Sequence, residues 1–216
     1  MLSRRQLSLA TLAVFALAGC SREGELVLSE GVGITAVRSA CPAVGIPDYT
    51  GDITTFRDAS SQLASNLDIT AAMTDVESTC AEDAGRIYTA ASFNVVARRS
   101  DVRGARTVEL PYFSTVLRGG SSVVSKRVGT VTLTFADGQE RAMATGQAAA
   151  YVDRAAATLP EDVRERITRK RKPGDPDAAI DPLSDPEVRQ ALNRATFELL
   201  VGFQLSEAQL AYNATR

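Results

Sequence analysis

Neither histidine nor tryptophan occurs among the 216 residues, and cysteine appears only three times. Without histidine, the Ser-His-Asp and Cys-His nucleophile systems are excluded, and so are zinc sites built on imidazole. The Ser-x-x-Lys arrangement of penicillin-recognising enzymes is missing: three residues before Lys126, Lys170 and Lys172 stand Val123, Ile167 and Arg169. There is no Gly-x-Ser-x-Gly nucleophile elbow and no phosphate-cradling glycine loop. Lacking tryptophan, a stacking platform for sugars has to be built from tyrosine. An enzyme working with two carboxylates stays chemically open, because such a pair suffices for glycoside hydrolysis. No residue is nominated as catalytic, and no cofactor is expected.

What is present begins at the N-terminus. Arg4 and Arg5 precede an apolar run from Leu7 to Leu17, and the run closes on Leu17-Ala18-Gly19-Cys20. A positive n-region, an apolar h-region and small residues before a cleavage point define a secretory signal. The run is short for a membrane span, which needs about 20 residues. With cysteine after the small pair, the segment resembles a bacterial lipoprotein signal with its lipobox. That resemblance implies a diacylglycerol on the Cys20 thiol, cleavage before it and acylation of the new amino terminus. Two or three acyl chains hold a protein on a membrane almost permanently. Ser21 follows the cysteine where an aspartate would resemble the inner-membrane retention signal, so the implied destination is the periplasmic face of the outer membrane. Ser3-Arg4-Arg5-Gln6-Leu7 also resembles a degenerate twin-arginine export motif, beside the simpler reading of an ordinary two-arginine n-region.

Removal of residues 1–19 takes away Arg4 and Arg5 and no acid, moving the net charge from −2 to −4. A mildly acidic mature chain argues against nucleic acid as a partner. With Cys20 lipidated, Cys41 and Cys80 remain as an even pair in an oxidising compartment, either bonded or as two buried thiols. If bonded, they enclose a loop of about 40 residues, worth roughly 4 kcal/mol in the chain-entropy model.

Residues 20–40 read as a tether, and 41–155 as a β domain. Leu67, Ile69, Ala71 and Met73 alternate with polar residues, as do Ile87, Thr89, Ala91, Phe93, Val95 and Ala97. Val108 to Leu117 forms another run, with Pro111 suggesting an edge position or a bulge. Gly119-Gly120 turns the chain toward Val123–Val128, and Val131, Leu133 and Phe135 form a clear strand face. Asp137-Gly138 gives a hairpin signal. The return strand, about Glu140 to Tyr151, carries Ala142, Ala144, Gly146, Ala148 and Ala150 on one face, small enough for close approach of another layer. This spacing predicts an antiparallel, immunoglobulin-like β-sandwich.

Residues 156–216 read as a helical extension packed on that sandwich. One helix starts at Pro160-Glu161 and runs through Val163 and Ile167. A second is capped by Asp185 and carries Val188, Leu192, Ala195, Leu199 and Phe203 at helical spacing. Phe197, Leu200 and Val201 broaden that stripe, which packs on the sandwich or docks a partner. Ser206 and Gln209 signal a third helix.

Two side-chain groups stand out as candidate contacts. Arg164, Arg169, Lys170, Arg171 and Lys172 form a basic run suited to lipid phosphates or an acidic partner. The same charges also complement a helix whose N-terminal turn holds Glu161 and Asp162. Asp175, Asp177, Asp181 and Asp185 are four carboxylates of the kind calcium prefers, although turn initiation and helix capping use the same residues. The chain as a whole is similar to uncharacterised bacterial envelope lipoproteins with a β-rich body and a helical tail, the lipobox carrying the resemblance. Its expected role is therefore non-catalytic: a lipid-anchored protein that binds or scaffolds an envelope protein partner. The alternatives are a carboxylate-dependent envelope hydrolase or a module binding calcium or anionic lipid.

Overall fold

Strict alternation builds the central strands. In Arg86–Arg99 every second side chain from Ile87 to Arg99 is buried, the period-two pattern of a sheet with one face on a core. The computed structural model describes residues 39–215. The lipobox, Cys20 and the paired arginines Arg4 and Arg5 lie outside the described residues. Of the described residues, 39–169 and 181–215 belong to one compact unit, and 170–180 to another.

The larger unit is mainly β. One sheet has the order β1 (Ala43–Gly45), β8 (Phe197–Phe203), β5 (Arg106–Arg118) and β6 (Ser122–Phe135). The other runs β2 (Asp52–Phe56), β3 (Leu67–Asp83), β4 (Arg86–Arg99) and β7 (Arg141–Asp153). All pairs are antiparallel except β1 with β8, which is parallel. Side chains from both sheets form one core, with Phe93, Phe135, Phe203, Ile87, Leu133 and Leu199 among its fully buried members. The small residues of β7 admit large neighbours. A Cβ on Gly146 would stand 2.3 Å from the Phe93 ring, so only glycine lets that ring lie against the strand. Tyr112 of β5 reaches across to donate its hydroxyl to the carbonyl of Gln147 on β7 at 2.6 Å.

Cys41 and Cys80 are bonded, with Cα atoms 6.1 Å apart. They join the segment leading into β1 to the far half of β3, and therefore link the two sheets. The β3–β4 turn uses Ala84 and Gly85, both at positive φ (45° and 82°), as a two-residue primed hairpin requires.

Three expectations are corrected. The second C-terminal helix stops at Ala195, and Phe197–Phe203 is β8, an interior strand paired with both β1 and β5. Leu199 and Phe203 are four residues apart, a spacing that places them on one side of a helix and equally on one face of a strand. Alternate burial of Phe197, Leu199, Val201 and Phe203 decides for the strand. The 156–216 segment is thus not wholly an extension.

Second, Asp137-Gly138 does not close a hairpin, because β6 and β7 belong to different sheets. The loop is shaped by the buried Arg99 side chain (1% exposed), which donates to the carbonyls of Val102, Gly104, Ala136 and Gln139 at 2.7–2.8 Å. The cation is held by carbonyl dipoles and by the Phe135 ring, 5.2 Å away, with no carboxylate among these contacts. Third, Pro111 lies in β5, an interior strand, but just beyond the end of β8. Its carbonyl accepts from the Gln204 N–H there, where the regular β5–β8 pairing has ended. The bulge in β5 lies between Val116 and Leu117.

The helical parts are α1 (Arg154–Ala157), α2 (Glu161–Thr168), α3 (Pro186–Ala195) and α4 (Glu207–Thr215). Val163, Ile167, Val188 and Ala191 form a small second core between α2 and α3. Ser206 and Gln209 make the expected reciprocal cap of α4. That helix lies on β2 through an edge-to-face contact of Tyr212 with Phe56, and Asn213 donates to the carbonyls of Tyr49 and Asp52. Among the described residues no helix is long and apolar enough to cross a membrane.

Candidate binding face

The residues nominated from the sequence mostly serve local structure. Arg164 pairs with Glu161 on α2, and this hydrogen-bonded pairing raises its guanidinium pKa above the ordinary value. Arg171 is buried, its Nε 3.2 Å from Asp177, and so offers no accessible charge to an anionic surface. Arg169, Lys170 and Lys172 are exposed. Arg166, between the named cations, meets Asp185 and Glu187 at 3.3 and 3.5 Å. Asp185 caps α3 by accepting from the Glu187 N–H, and Asp181 accepts from Leu183 in the 3-10 turn Pro182–Ser184. Asp175 accepts from the Lys172 N–H. Among the described residues, no group of three or more His, Cys, Asp or Glu side chains could hold a metal ion. Asp175, Asp181 and Asp185 thus make turn and cap contacts, and Asp177 lies against Arg171.

A face that sequence reasoning missed has the form of a binding surface. The outward residues of β4 pair across the ladder with those of β7: Tyr88 with Tyr151, Ala90 with Ala149, Ser92 with Gln147, Asn94 with Thr145, Val96 with Met143, and Arg98 with Arg141. Small residues at the centre of these rows leave two concavities. One, about 430 Å³, has Ala90 and Ala149 on its floor and Glu77, Thr79, Tyr88, Ser92 and Gln147 around it. At its end the Tyr88 and Tyr151 rings stand 4.8 Å apart, and the Arg86 guanidinium lies 4.8 Å from the centre of Tyr151. The other, about 340 Å³, is bordered by Asp52, Thr54, Thr70, Ala72, Val96, Arg98 and Arg141. Both volumes fall at the lower end of the range of small-ligand sites.

A bulge in β3 separates them. Between Thr74 and Glu77 the register slips, and Asp75 takes a left-handed conformation, φ 52°. Aspartate tolerates that region because its short side chain can bond locally. Here Asn94 and the Thr74 hydroxyl both donate to Asp75 Oδ2 at 3.1 Å, and Thr145 donates to Asn94 Oδ1. Bulges commonly re-aim side chains beside functional sites. Glu77 is the single carboxylate lining the larger concavity, so the arrangement offers stacking, hydrogen bonding and one negative charge, without the paired carboxylates of a glycoside hydrolase. The signal in the sequence was the other half of each alternating strand: Tyr88, Ala90 and Ser92, then Gln147, Ala149 and Tyr151.

Comparison with protein-family models, curated proteins and solved structures gives no match to this chain.

Proposed function

We propose that this chain is a non-catalytic lipoprotein of the cell envelope, held by acyl chains on Cys20 at the periplasmic face of the outer membrane. It binds or scaffolds another envelope component through the outer face of sheet β2-β3-β4-β7. The observation that carries the reading is the pair of adjacent concavities on that face, floored by small side chains in otherwise fully paired strands. The Cys41–Cys80 bond supports an oxidising compartment. Two four-stranded sheets over one core support an immunoglobulin-like sandwich, with the parallel β1–β8 pair at one edge.

The test places a photo-reactive amino acid at Ser92 in the full-length protein in cells. One recurrent crosslinked species is expected, and none when the same residue replaces exposed Arg189 on α3. Equal labelling from both positions overturns the choice of face. Cys20→Ala is expected to release the protein from membranes; retention with cleavage at the same place overturns the lipid anchor.

A further inference from the structure

The Arg98–Arg141 end of this face departs from ordinary strand pairing. The two arginines are Cα partners on adjacent antiparallel strands, where directly opposed like charges destabilise a sheet. Arg98 Nε is compensated by Glu140 at 2.6 Å, whereas Arg141 is exposed and makes no ion pair among the described residues. Two residues further along the strands, about 7 Å away, Val96 and Met143 oppose each other while 42% and 65% exposed. An opposed arginine pair in which only Arg98 has a carboxylate partner therefore adjoins an exposed apolar pair. Arg98, Arg141 and Val96 line the 340 Å³ concavity, whose central part is Ala72 and Thr70. Asp52 lines its far side on β2, three strands from Arg141.

We infer that this concavity binds an amphiphilic anion, a phosphate or carboxylate head carrying a short apolar tail. The head lies on the Arg141 guanidinium with Arg98 beside it, since the planar fork of arginine matches either group through two parallel hydrogen bonds. The tail covers Val96, Met143 and Ala72. A plain inorganic anion would leave the apolar row in water, and a purely apolar ligand would leave Arg141 uncompensated. This deepens the proposed function and rests on the same face being a binding surface.

Octyl phosphate, kept below its micelle concentration, is titrated calorimetrically into the full chain carrying Cys20→Ser. Saturable binding is expected, weakened about tenfold by Arg141→Gln and less by Arg141→Lys, which keeps the charge and loses the fork. Met143→Ser is expected to weaken it several-fold, and Arg189→Gln to leave it unchanged. Unaltered thermal midpoints show that the variants fold. The inference is overturned by absence of saturation, by affinity indifferent to Arg141→Gln, or by equal affinity for inorganic phosphate or for octyl glucoside. Such a failure with the Ser92 crosslink intact removes the ligand class alone; loss of the crosslink removes the binding face itself.

Discussion

The two faces of sheet β2-β3-β4-β7 share one backbone and obey opposite rules. Inward, β4 is buried at every second position from Ile87 to Arg99: Phe93 lies on Gly146, Arg99 collects four carbonyls, and Thr89 stands in register with Cys80, which is bonded across to Cys41. Outward, the centre is occupied by Ala90, Ala149 and Ser92, with larger side chains held at the ends. Inner positions fix the fold, because a close-packed interior leaves few alternatives. The outer face carries open volume and unopposed charge without a folding reason for either.

That contrast is broken most severely at the disulfide. Replacing Cys41 and Cys80 together by alanine is expected to cost about 4 kcal/mol for a separation of 39 residues, measured by denaturant unfolding. Arg99→Met comes next. It keeps the length of the stem and strands four carbonyls that the guanidinium now satisfies, so a loss of roughly 3 kcal/mol is expected in the same assay. A loss below about 1 kcal/mol would mean that water replaces the guanidinium without difficulty. Gly146→Ala should cost roughly 1–3 kcal/mol, as the new methyl must displace Phe93 and crowd Val131.

A smaller effect sits at the loop end of the sheet, where Asp68 accepts from Arg106 through both carboxylate oxygens, at 2.6 and 2.8 Å. Those hydrogen bonds hold its carboxyl below the usual aspartate value. A depressed folded pKa adds stability that is fully present above the unfolded value, about 3.9, and is lost as pH falls through the folded value. Asp68→Asn should therefore be less stable than the parent at pH 7, by about 1 kcal/mol, because the pair is only partly shielded, Arg106 being 42% exposed and Asp68 15%. The gap should close as the solution is acidified below about pH 4. A gap that persists at low pH would assign the effect to packing instead of charge.

Much of the inner face was legible in the sequence, because alternation over Ile87–Ala97 and Val131–Phe135 has only one periodic reading. β8 was not, since Leu199 and Phe203 satisfy helix and strand periods together and tertiary pairing with β1 and β5 decides. The crossover after β6 was hidden because Asp137-Gly138 is ordinary turn chemistry, and what redirects the chain is Arg99, nearly forty residues earlier. The candidate site was the least legible part. Its residues are small or polar, and only register brings Tyr88 to Tyr151 or Arg98 to Arg141. Within the conspicuous run 164–185, Asp175, Asp181 and Asp185 make turns and caps and Arg164, Arg166 and Arg171 meet nearby carboxylates, while Arg169, Lys170 and Lys172 stay exposed.

The smallest stability effect carries the sharpest functional consequence. Ala90→Thr adds a β-branched side chain to the floor of the larger concavity, on a face that has room for it. Threonine suits a pleated, solvent-facing strand better than alanine, and surface changes of this kind usually stay within about 0.5 kcal/mol. Unfolding should therefore be almost unchanged. If the outer face is a contact surface, the extra methyl and hydroxyl occupy space that the partner needs, and crosslinking from Ser92 should fall away while the fold stays intact. An inner-face change of similar size, Gly146→Ala, should do the reverse, lowering stability and preserving the crosslink in whatever fraction remains folded. Crosslinking that survives Ala90→Thr unchanged would make the open volume incidental, and the two faces would then differ in packing alone.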